Sequence, residues 1–551
     1  MAGSVVENLS NRKLFVLFGI LFIVLALFIL IGAVVSPAPT SHIQVTCLTC
    51  WDRRSKAGEW FYTRPINQAN CQPVEQHVKS AEPGKPLEVQ ELDDVNNLVF
   101  VAQIPLPRDN QELSYSRLQQ WLLGIMIPQV AYDSKHEWKY DKNARLLLDV
   151  RLGYRLEEDP PHAWKELVHS KVYRNLDCEE DQHTNISQFY DCRPLELFEL
   201  GFNHYPYYLL NIRLPVHEGE QYNVNIGQWK DLELVLIHQN GGFTVVWLAL
   251  KTISTPAILI SLFWFWRRVR QLPRQSILLE KVLLTLGLAL AVLNFPIEWL
   301  SLWIKLPFML LLSDIRQGAF YTVLASFWLI FVGEHLMDDT GKNQLSSYTK
   351  HLSAVIFCST CMTIYDICER GVHLSDPFYS IWSTNLGADL AYAAIILAAV
   401  CALLYFCYLF YMVVRVILTI RRKRGSLQQM NRYKKLKYEG IIYRFQFLMY
   451  FTAVCAALTV AGYVMASVGE GQLRWGDFDE SPSLQYTSAF QTGVYGMWNI
   501  YVMLLLALYA PSHKRDPDSN SAQIPLNEDT DEQGHPVEAA AMVTLVKPAT
   551  D

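Results

Sequence analysis

The chain has 551 residues, 51% of them hydrophobic and 18% charged, with a formal net charge of -6. That length accommodates two domains. No long basic stripe stands outside the flanks of apolar runs, which excludes a general nucleic-acid binder. Eight apolar stretches of about membrane-crossing length argue against a water-soluble enzyme.

Residues 1–13 form a short polar N-terminus ahead of the first apolar run. That run, Leu14 to Val35, is 22 residues without a charge. A spanning helix needs about 20 such residues, whereas a cleavable signal core has about 7–15. Ser36-Pro37-Ala38-Pro39 is a poor cleavage site, so residues 14–36 read as an uncleaved signal anchor.

Residues 37–242 read as a β-rich domain. Leu146, Leu148, Val150, Leu152, Tyr154 and Leu156 alternate with a mostly polar set, the period-2 pattern of a half-buried strand. Leu98–Ile104, Tyr207–Leu214 and Tyr222–His238 add strand-like runs bounded by Pro, Gly and Asn. A helix is expected around Pro161–Tyr173. The whole points to a sandwich or barrel-like domain resting on helices.

Residues 243–510 hold seven further spans: Phe243–Trp266, Ile277–Leu300, Arg316–Glu334, Leu352–Val372, Ala388–Ile420, Tyr443–Ser467 and Ala489–Ala510. They must be helices, since only helices satisfy their own backbone groups in hydrocarbon. The run Ala388–Ile420 exceeds one upright crossing, so that helix tilts or continues beyond the bilayer. Basic residues mark alternate loops. They are Arg12 and Lys13, then Arg267, Arg268, Arg270 and Arg274, then Arg421-Arg422-Lys423-Arg424 with Lys434, Lys435 and Lys437. The positive-inside rule therefore places both termini in the cytosol and residues 37–242 in the lumen or outside. Residues 511–551 are polar, with an acidic patch from Asn527 to Glu532, and read as a disordered cytosolic tail.

Five cysteines, Cys47, Cys50, Cys71, Cys178 and Cys192, fall on the luminal side, enough for two disulfides and one spare. Cys178 and Cys192 are placed for a local bridge; Cys71 meets Cys50 or Cys47. Zinc at Cys47-x-x-Cys50 lacks a second ligand pair. Asn185-Ile186-Ser187 is a luminal glycosylation acceptor, while Asn8-Leu9-Ser10 lies on the wrong side.

Catalytic motifs are absent from the sequence: no H-E-x-x-H, G-x-S-x-G, Walker loop or Rossmann glycine pattern occurs. Asp338-Asp339 reads as a solvated helix end. Neither an enzyme nor a cofactor or metal site is expected. Ionisable residues near spans are more informative, because they are costly in lipid. Asp314 and Arg316 precede or begin one span, and Asp366, Glu369 and Arg370 share one face of the next at i, i+3 and i+4. They form either a salt-bridge network that fixes helix packing or a polar rim around a cargo opening. Near that rim stand Phe378, Tyr379 and Trp382 in the following loop, Tyr495, Trp498 and Asn499 on one face of the last span, and Tyr321. Packing accounts for such aromatics, and so does a greasy pocket with a wet mouth. Glu334 and His335, at the opposite end, read as a structural cap. Tyr438-Glu439-Gly440-Ile441, with Tyr438 and Ile441 as anchors, fits the extended peptide bound by clathrin adaptors.

These residues resemble the Wntless family. The likeness runs from the N-terminus to about Lys514. It includes Leu210-Asn211-Ile212-Arg213-Leu214-Pro215-Val216 and Ile237-His238-Gln239-Asn240-Gly241-Gly242-Phe243-Thr244. It continues with Asp314-Ile315-Arg316-Gln317-Gly318, Gly333-Glu334-His335, Cys368-Glu369-Arg370-Gly371-Val372, Pro377-Phe378-Tyr379-Ser380-Ile381-Trp382 and Tyr495-Gly496-Met497-Trp498-Asn499. The resemblance implies a luminal β-sandwich-like domain inserted between a signal-anchor helix and a receptor-like seven-helix bundle. It further implies a carrier that binds acylated Wnt proteins, shelters the acyl chain among the helices and takes them to the cell surface. Clathrin adaptor, retromer and membrane lipids would be its other partners. Endoplasmic reticulum, Golgi, endosome and plasma membrane would be its compartments. The tail diverges beyond Lys514, and its ending Lys547-Pro548-Ala549-Thr550-Asp551 differs from the vertebrate family's. The alternative is a seven-helix signalling receptor with a luminal sensor. Against it, the third bundle helix has no Asp-Arg-Tyr ending and the last lacks Asn-Pro-x-x-Tyr.

Overall fold

A computed structural model describes residues 11–51, 71–72, 96, 98–108, 111–131, 141, 144–179, 189–217, 221–336, 343–381, 385–426, 446–462 and 482–511. Helix α1, Asn11–Leu30, ends in a π-helical turn, Ile31–Val35. Twelve strands follow: β1 Thr40–Thr46, β2 Leu48–Trp51, β3 Cys71–Gln72, β4 Leu98–Ile104, β5 Leu122–Ala131, β6 Ala144–Arg155, β7 Lys165–Leu176, β8 Cys178–Glu179, β9 Asp191–Cys192, β10 Leu195–Leu200, β11 Tyr207–Arg213 and β12 Gln228–Gln239. They build an antiparallel four-stranded sheet (β1-β12-β5-β10), a six-stranded sheet (β3-β2-β4-β11-β6-β7) and the small ribbon β8-β9. Val45, Met126, Leu234 and Leu236 of the smaller sheet share one apolar core with Phe100, Leu148, Val150 and Leu210 of the larger. The domain is therefore a sandwich.

The predicted alternation in β6 holds only in part. Leu146, Leu148, Val150 and Leu152 are fully buried, but Tyr154 is half-buried and Leu156 is exposed beyond the strand. Leu147, Arg151 and Arg155 are buried on the opposite face, so the strand is covered on both sides. The helix expected around Pro161–Tyr173 is instead β7, hairpin-paired with β6 from Leu176 opposite Ala144 to Lys165 opposite Tyr154. Residue parity explains the correction. Val172, Arg174 and Leu176 face inward while Lys171, Tyr173 and Asn175 are exposed, a period of two that pairing with β6 completes.

Seven helices are long and apolar enough to cross a membrane, and Gln446–Gly462 is a shorter apolar helix among the described residues. In chain order the membrane helices after α1 are α2 Gly241–Arg270, α3 Leu278–Asn294 with the short α4 Glu298–Ser301, α5 Met309–Leu336, α6 Thr349–Val372, α7 Asn385–Ser426, α8 Gln446–Gly462 and α9 Pro482–Tyr509. The chain is a multi-pass membrane protein. The apolar window of α9 is 83% buried, against 0% for α1 and α6 and 6% for α7, so α9 is the central post. Helix α5 begins at Met309 rather than Arg316, because Met309-Leu310-Leu311-Leu312 extends the apolar run. Helix α7 has 42 residues. At about 1.5 Å per residue it is roughly 63 Å long, twice a hydrocarbon core, and so continues as helix past the bilayer.

The sandwich meets the bundle through very little slack. Strand β12 ends at Gln239 and α2 starts at Gly241, leaving Asn240 alone between them. The Asn240 side chain accepts from Gly242 N at 2.9 Å, an N-cap, and donates to Ser41 Oγ at 2.8 Å. Its own N–H donates to Pro39 O at 2.9 Å. The two chain crossings beneath the sandwich are thus tied to each other.

Candidate functional site

A second tie lies where the loop after α6 reaches the sandwich. Arg174 of β7 is buried and donates to Glu196 O at 2.7 Å, Tyr173 O at 2.9 Å and Phe378 O at 2.9 Å. Glu199 N of β10 donates to Pro377 O at 2.8 Å. The Glu199 carboxylate lies 3.7 Å from His373 Nδ1 and 3.9 Å from Arg370 Nη1. Arg370 Nε in turn meets Asp314 Oδ2 at 3.1 Å, joining α6 to α5.

The polar cluster expected from the sequence is therefore divided. Asp314 and Arg370 pair, and Asp366 and Glu369 lie half-buried on the same helix as Arg370. Arg316 turns the other way. It donates to Val292 O at 3.0 Å and to Leu293 O and Phe295 O at 2.6 Å, capping the end of α3 before Pro296. Its guanidinium also faces Glu298 Oε1 at 3.5 Å, which accepts from Lys251 Nζ at 2.6 Å. All three side chains are at most 7% exposed. Lys251 and Glu298 escaped sequence reading because each looks like one isolated charge; only the fold of α2 against α4 brings them together.

The aromatic residues also separate. Phe378 belongs to the sandwich core, edge-to-face with Phe198 at 5.9 Å. Tyr379 is half-buried over His373, which bonds the Tyr379 carbonyl at 2.9 Å. On α9, Tyr495 and Asn499 are packed inside, Asn499 accepting from Asn294 at 2.6 Å. Trp498 donates to Thr459 Oγ1 at 3.0 Å and meets half-buried Tyr321 edge-to-face at 5.5 Å. Trp382, Tyr438, Ile441 and Asn185 lie outside the described residues. Glu334 caps as expected, accepting from Tyr348 Oη at 2.9 Å and from Asn343 N at 3.2 Å.

The Tyr321–Trp498 pair lies near the end of α7 that buries least. Tyr405 of α7 donates to Ala325 O of α5 at 2.8 Å. Below that contact α7 buries Leu409, Met412, Val413 and Val416. Above it, from 386 to 404, only Ala391 is buried. Tyr321 sits one turn above Ala325, level with the stretch of α7 that buries little.

Cys178 and Cys192 form a disulfide across β8 and β9. Cys50 is disulfide-bonded and stands opposite Cys71 in the β2–β3 register, while Cys47 is buried in the sandwich core. The odd cysteine is therefore an internal one.

Comparison with known proteins decides the family. The model of the Wntless GOLD domain matches residues 48–239, and that of the Wntless-like transmembrane domain matches residues 240–513. The chain belongs to the Wntless family. It is 46% identical over 562 residues to the protein wntless homolog of Caenorhabditis elegans, covering 100% of each chain. It is 46% identical over 522 residues to protein wntless of Drosophila pseudoobscura pseudoobscura, covering 94% of this chain and 91% of that one. The Wntless boundary at 239/240 falls at Asn240, where strand β12 hands over to helix α2.

Proposed function

We propose that this chain carries lipid-modified Wnt proteins through the secretory pathway, by binding and transport rather than catalysis. The sandwich faces the lumen and both termini face the cytosol, as the basic loops indicate. The observation that carries the reading is the largely unburied stretch of α7 above Tyr405, near the half-buried Tyr321 and its contact with Trp498. An acyl chain enters between α5 and α7, with Asp366, Glu369 and Arg370 at the rim and Tyr379 above. Tyr495 and Asn499 support this wall from within rather than touching lipid.

The energetics suit a carrier. Hiding an acyl chain from water is worth about 0.8 kcal/mol per methylene, so roughly sixteen carbons make exposure costly by order ten kcal/mol. A second grip, by the sandwich on the Wnt protein, converts two moderate affinities into one strong one and makes release sensitive to either.

Tyr438 and Ile441 would recruit a clathrin adaptor after delivery, and retromer would return the carrier from endosomes to the Golgi. The plasma membrane and endoplasmic reticulum complete its route. Asn185 would carry a luminal glycan. Co-purification with an acylated Wnt beside an acyl-deficient Wnt tests the central claim: strong recovery of the first and loss of the second is expected, and equal recovery overturns it. Tyr438→Ala should enlarge the surface pool, and unchanged antibody uptake would remove that role.

A further inference from the structure

The junction between sandwich and bundle contains a cavity of about 140 Å³. Gln120 of the sandwich, Trp247 and Lys251 of α2, Glu298 of α4 and Leu310 of α5 line it. Two residues that line it each carry a buried polar atom with no hydrogen-bond partner among the described residues, Glu298 Oε2 and Gln120 Nε2. Glu298 is only 7% exposed. Buried polar atoms are nearly always paired, so such a pair of orphans in one cavity marks an occupant.

The occupant's chemistry follows from which groups are spent. Arg316 is engaged by three carbonyls at the end of α3. An ammonium has three N–H donors, and Lys251 gives one to Glu298 Oε1. Two cations therefore share one carboxylate oxygen, while its other oxygen still needs a donor. Lys251 and Gln120 ask for an anionic acceptor, and Glu298 Oε2 asks for an N–H or O–H. A zwitterionic aminoethyl phosphate supplies both. The apolar remainder of the wall, Leu248 and Leu310, suits the start of a glyceride. Helix α4 exposes Leu300 at 51%, and the turn after it Trp303 at 82% and Ile304 at 56%, a belt suited to the bilayer surface.

We propose that this cavity is a phospholipid site that selects headgroups carrying a hydrogen-bond donor, phosphatidylethanolamine being the type. It is independent of the Wnt-carrying reading, and its test contains no Wnt. The full chain, purified in detergent, is offered phosphatidylethanolamine, phosphatidylcholine or soluble glycerophosphoethanolamine, and adducts are counted by native mass spectrometry. Phosphatidylethanolamine should be retained over phosphatidylcholine by roughly tenfold, the size expected of one hydrogen bond to a charged acceptor. Glu298→Gln should abolish that preference, and Lys251→Met should weaken retention of both lipids. Leu310→Trp, which fills the cavity without altering its charges, should remove the adduct even if the charge variants fold poorly. Equal retention of the two lipids, a preference that survives Glu298→Gln, or no adduct on the wild-type chain (water alone) overturns the proposal. Equal binding of the soluble headgroup overturns the lipid as its source.

Discussion

Arg174, on strand β7, donates from Nη2 to the carbonyl of Phe378, 204 residues further along the chain, at 2.9 Å. A single buried guanidinium thereby joins the sandwich edge to the loop that links α6 and α7. Its other donors hold Glu196 O and Tyr173 O, so its planar fork is matched to carbonyls that lie in different directions.

Arg174→Ala should therefore strand several buried carbonyls at once. Each orphaned acceptor costs about 1–3 kcal/mol, and a total loss of about 3 kcal/mol is expected. Arg174→Lys should recover little, because one ammonium on a flexible stem cannot span the same acceptors. Thermal unfolding of the purified chain, together with protease cleavage in the 373–381 loop, reads the effect. A variant that melts like the parent and resists cleavage equally would remove this side chain from the junction.

Acid should loosen the sandwich. Burial holds His238 neutral and pushes its pKa down from 6.5 to about 4, with a further push from His42 set against a backbone bond at Leu236. His204 is likewise lowered to about 4 by burial, then by the charges of Lys305 and Arg117. The unfolded chain takes up these protons near pH 6.5, whereas the folded one resists until about 4. The stabilisation is thus complete above pH 6.5 and is lost progressively as pH falls towards about 4. For His238, 4% exposed and edge-on to Tyr115, the loss is about 2–3 kcal/mol, from about 1.4 kcal/mol per pKa unit. Melting temperature between pH 7.5 and 4.5 checks this, and His238→Gln should flatten the slope; an unchanged slope in the variant would assign it to other groups.

What the sequence made legible depends on how many faces of an element are apolar. Strand β6 was readable because its face from Leu146 to Leu152 is apolar, whereas the opposite one, though also covered, includes Arg151 and Arg155. Strand β5 was not: Leu122 and Met126 pack between the sheets while Leu123 and Ile125 are buried on the opposite face, so no alternation survives. The membrane helices announce themselves by length alone, and their ends err only where apolar residues continue, as at Met309. The candidate site was harder. Asp314, Arg316, Asp366, Glu369 and Arg370 stand out in the sequence as ionisable groups near spans. Which of them pair is a matter of helix rotation, and Arg316 faces α3 rather than α6. Glu199 and Arg174 were invisible as junction residues, although the inward parity of Arg174 between Val172 and Leu176 was a usable signal.

Helix α1 is held against α9 by small residues. A Cβ at Gly32 would lie 2.0 Å from Thr492 Oγ1 and 2.6 Å from Ala489 Cα, the latter a backbone atom that cannot swing aside. Ser488 Oγ also donates to Gly32 O at 2.6 Å. Gly32→Ala should push the helices apart and cost about 1–3 kcal/mol by overpacking. Cysteine pairs placed across the α1–α9 contact should then cross-link less readily than in the parent. Unreduced cross-linking would show that α1 docks by other contacts.

Tyr321 offers the sharpest test of the cargo path, because it is half-buried level with the unburied stretch of α7, whereas Trp498 is 8% exposed and committed to Thr459. Removing the Tyr321 ring leaves the bundle core, including fully buried Phe320 and Phe327, in place. Its hydroxyl accepts from Gln317 Nε2 at 3.1 Å on the same helix. Tyr321→Ala should therefore fold, travel and melt nearly as the parent does. It should reduce recovery of acylated Wnt by roughly two- to tenfold if the ring contributes the roughly 0.5–1.5 kcal/mol usual for an aromatic contact. Tyr321→Phe keeps the apolar face and should retain recovery. If the alanine variant binds as well as the parent while Trp498→Phe does not, the acyl chain lies deeper along α9 than the unburied stretch of α7 indicates.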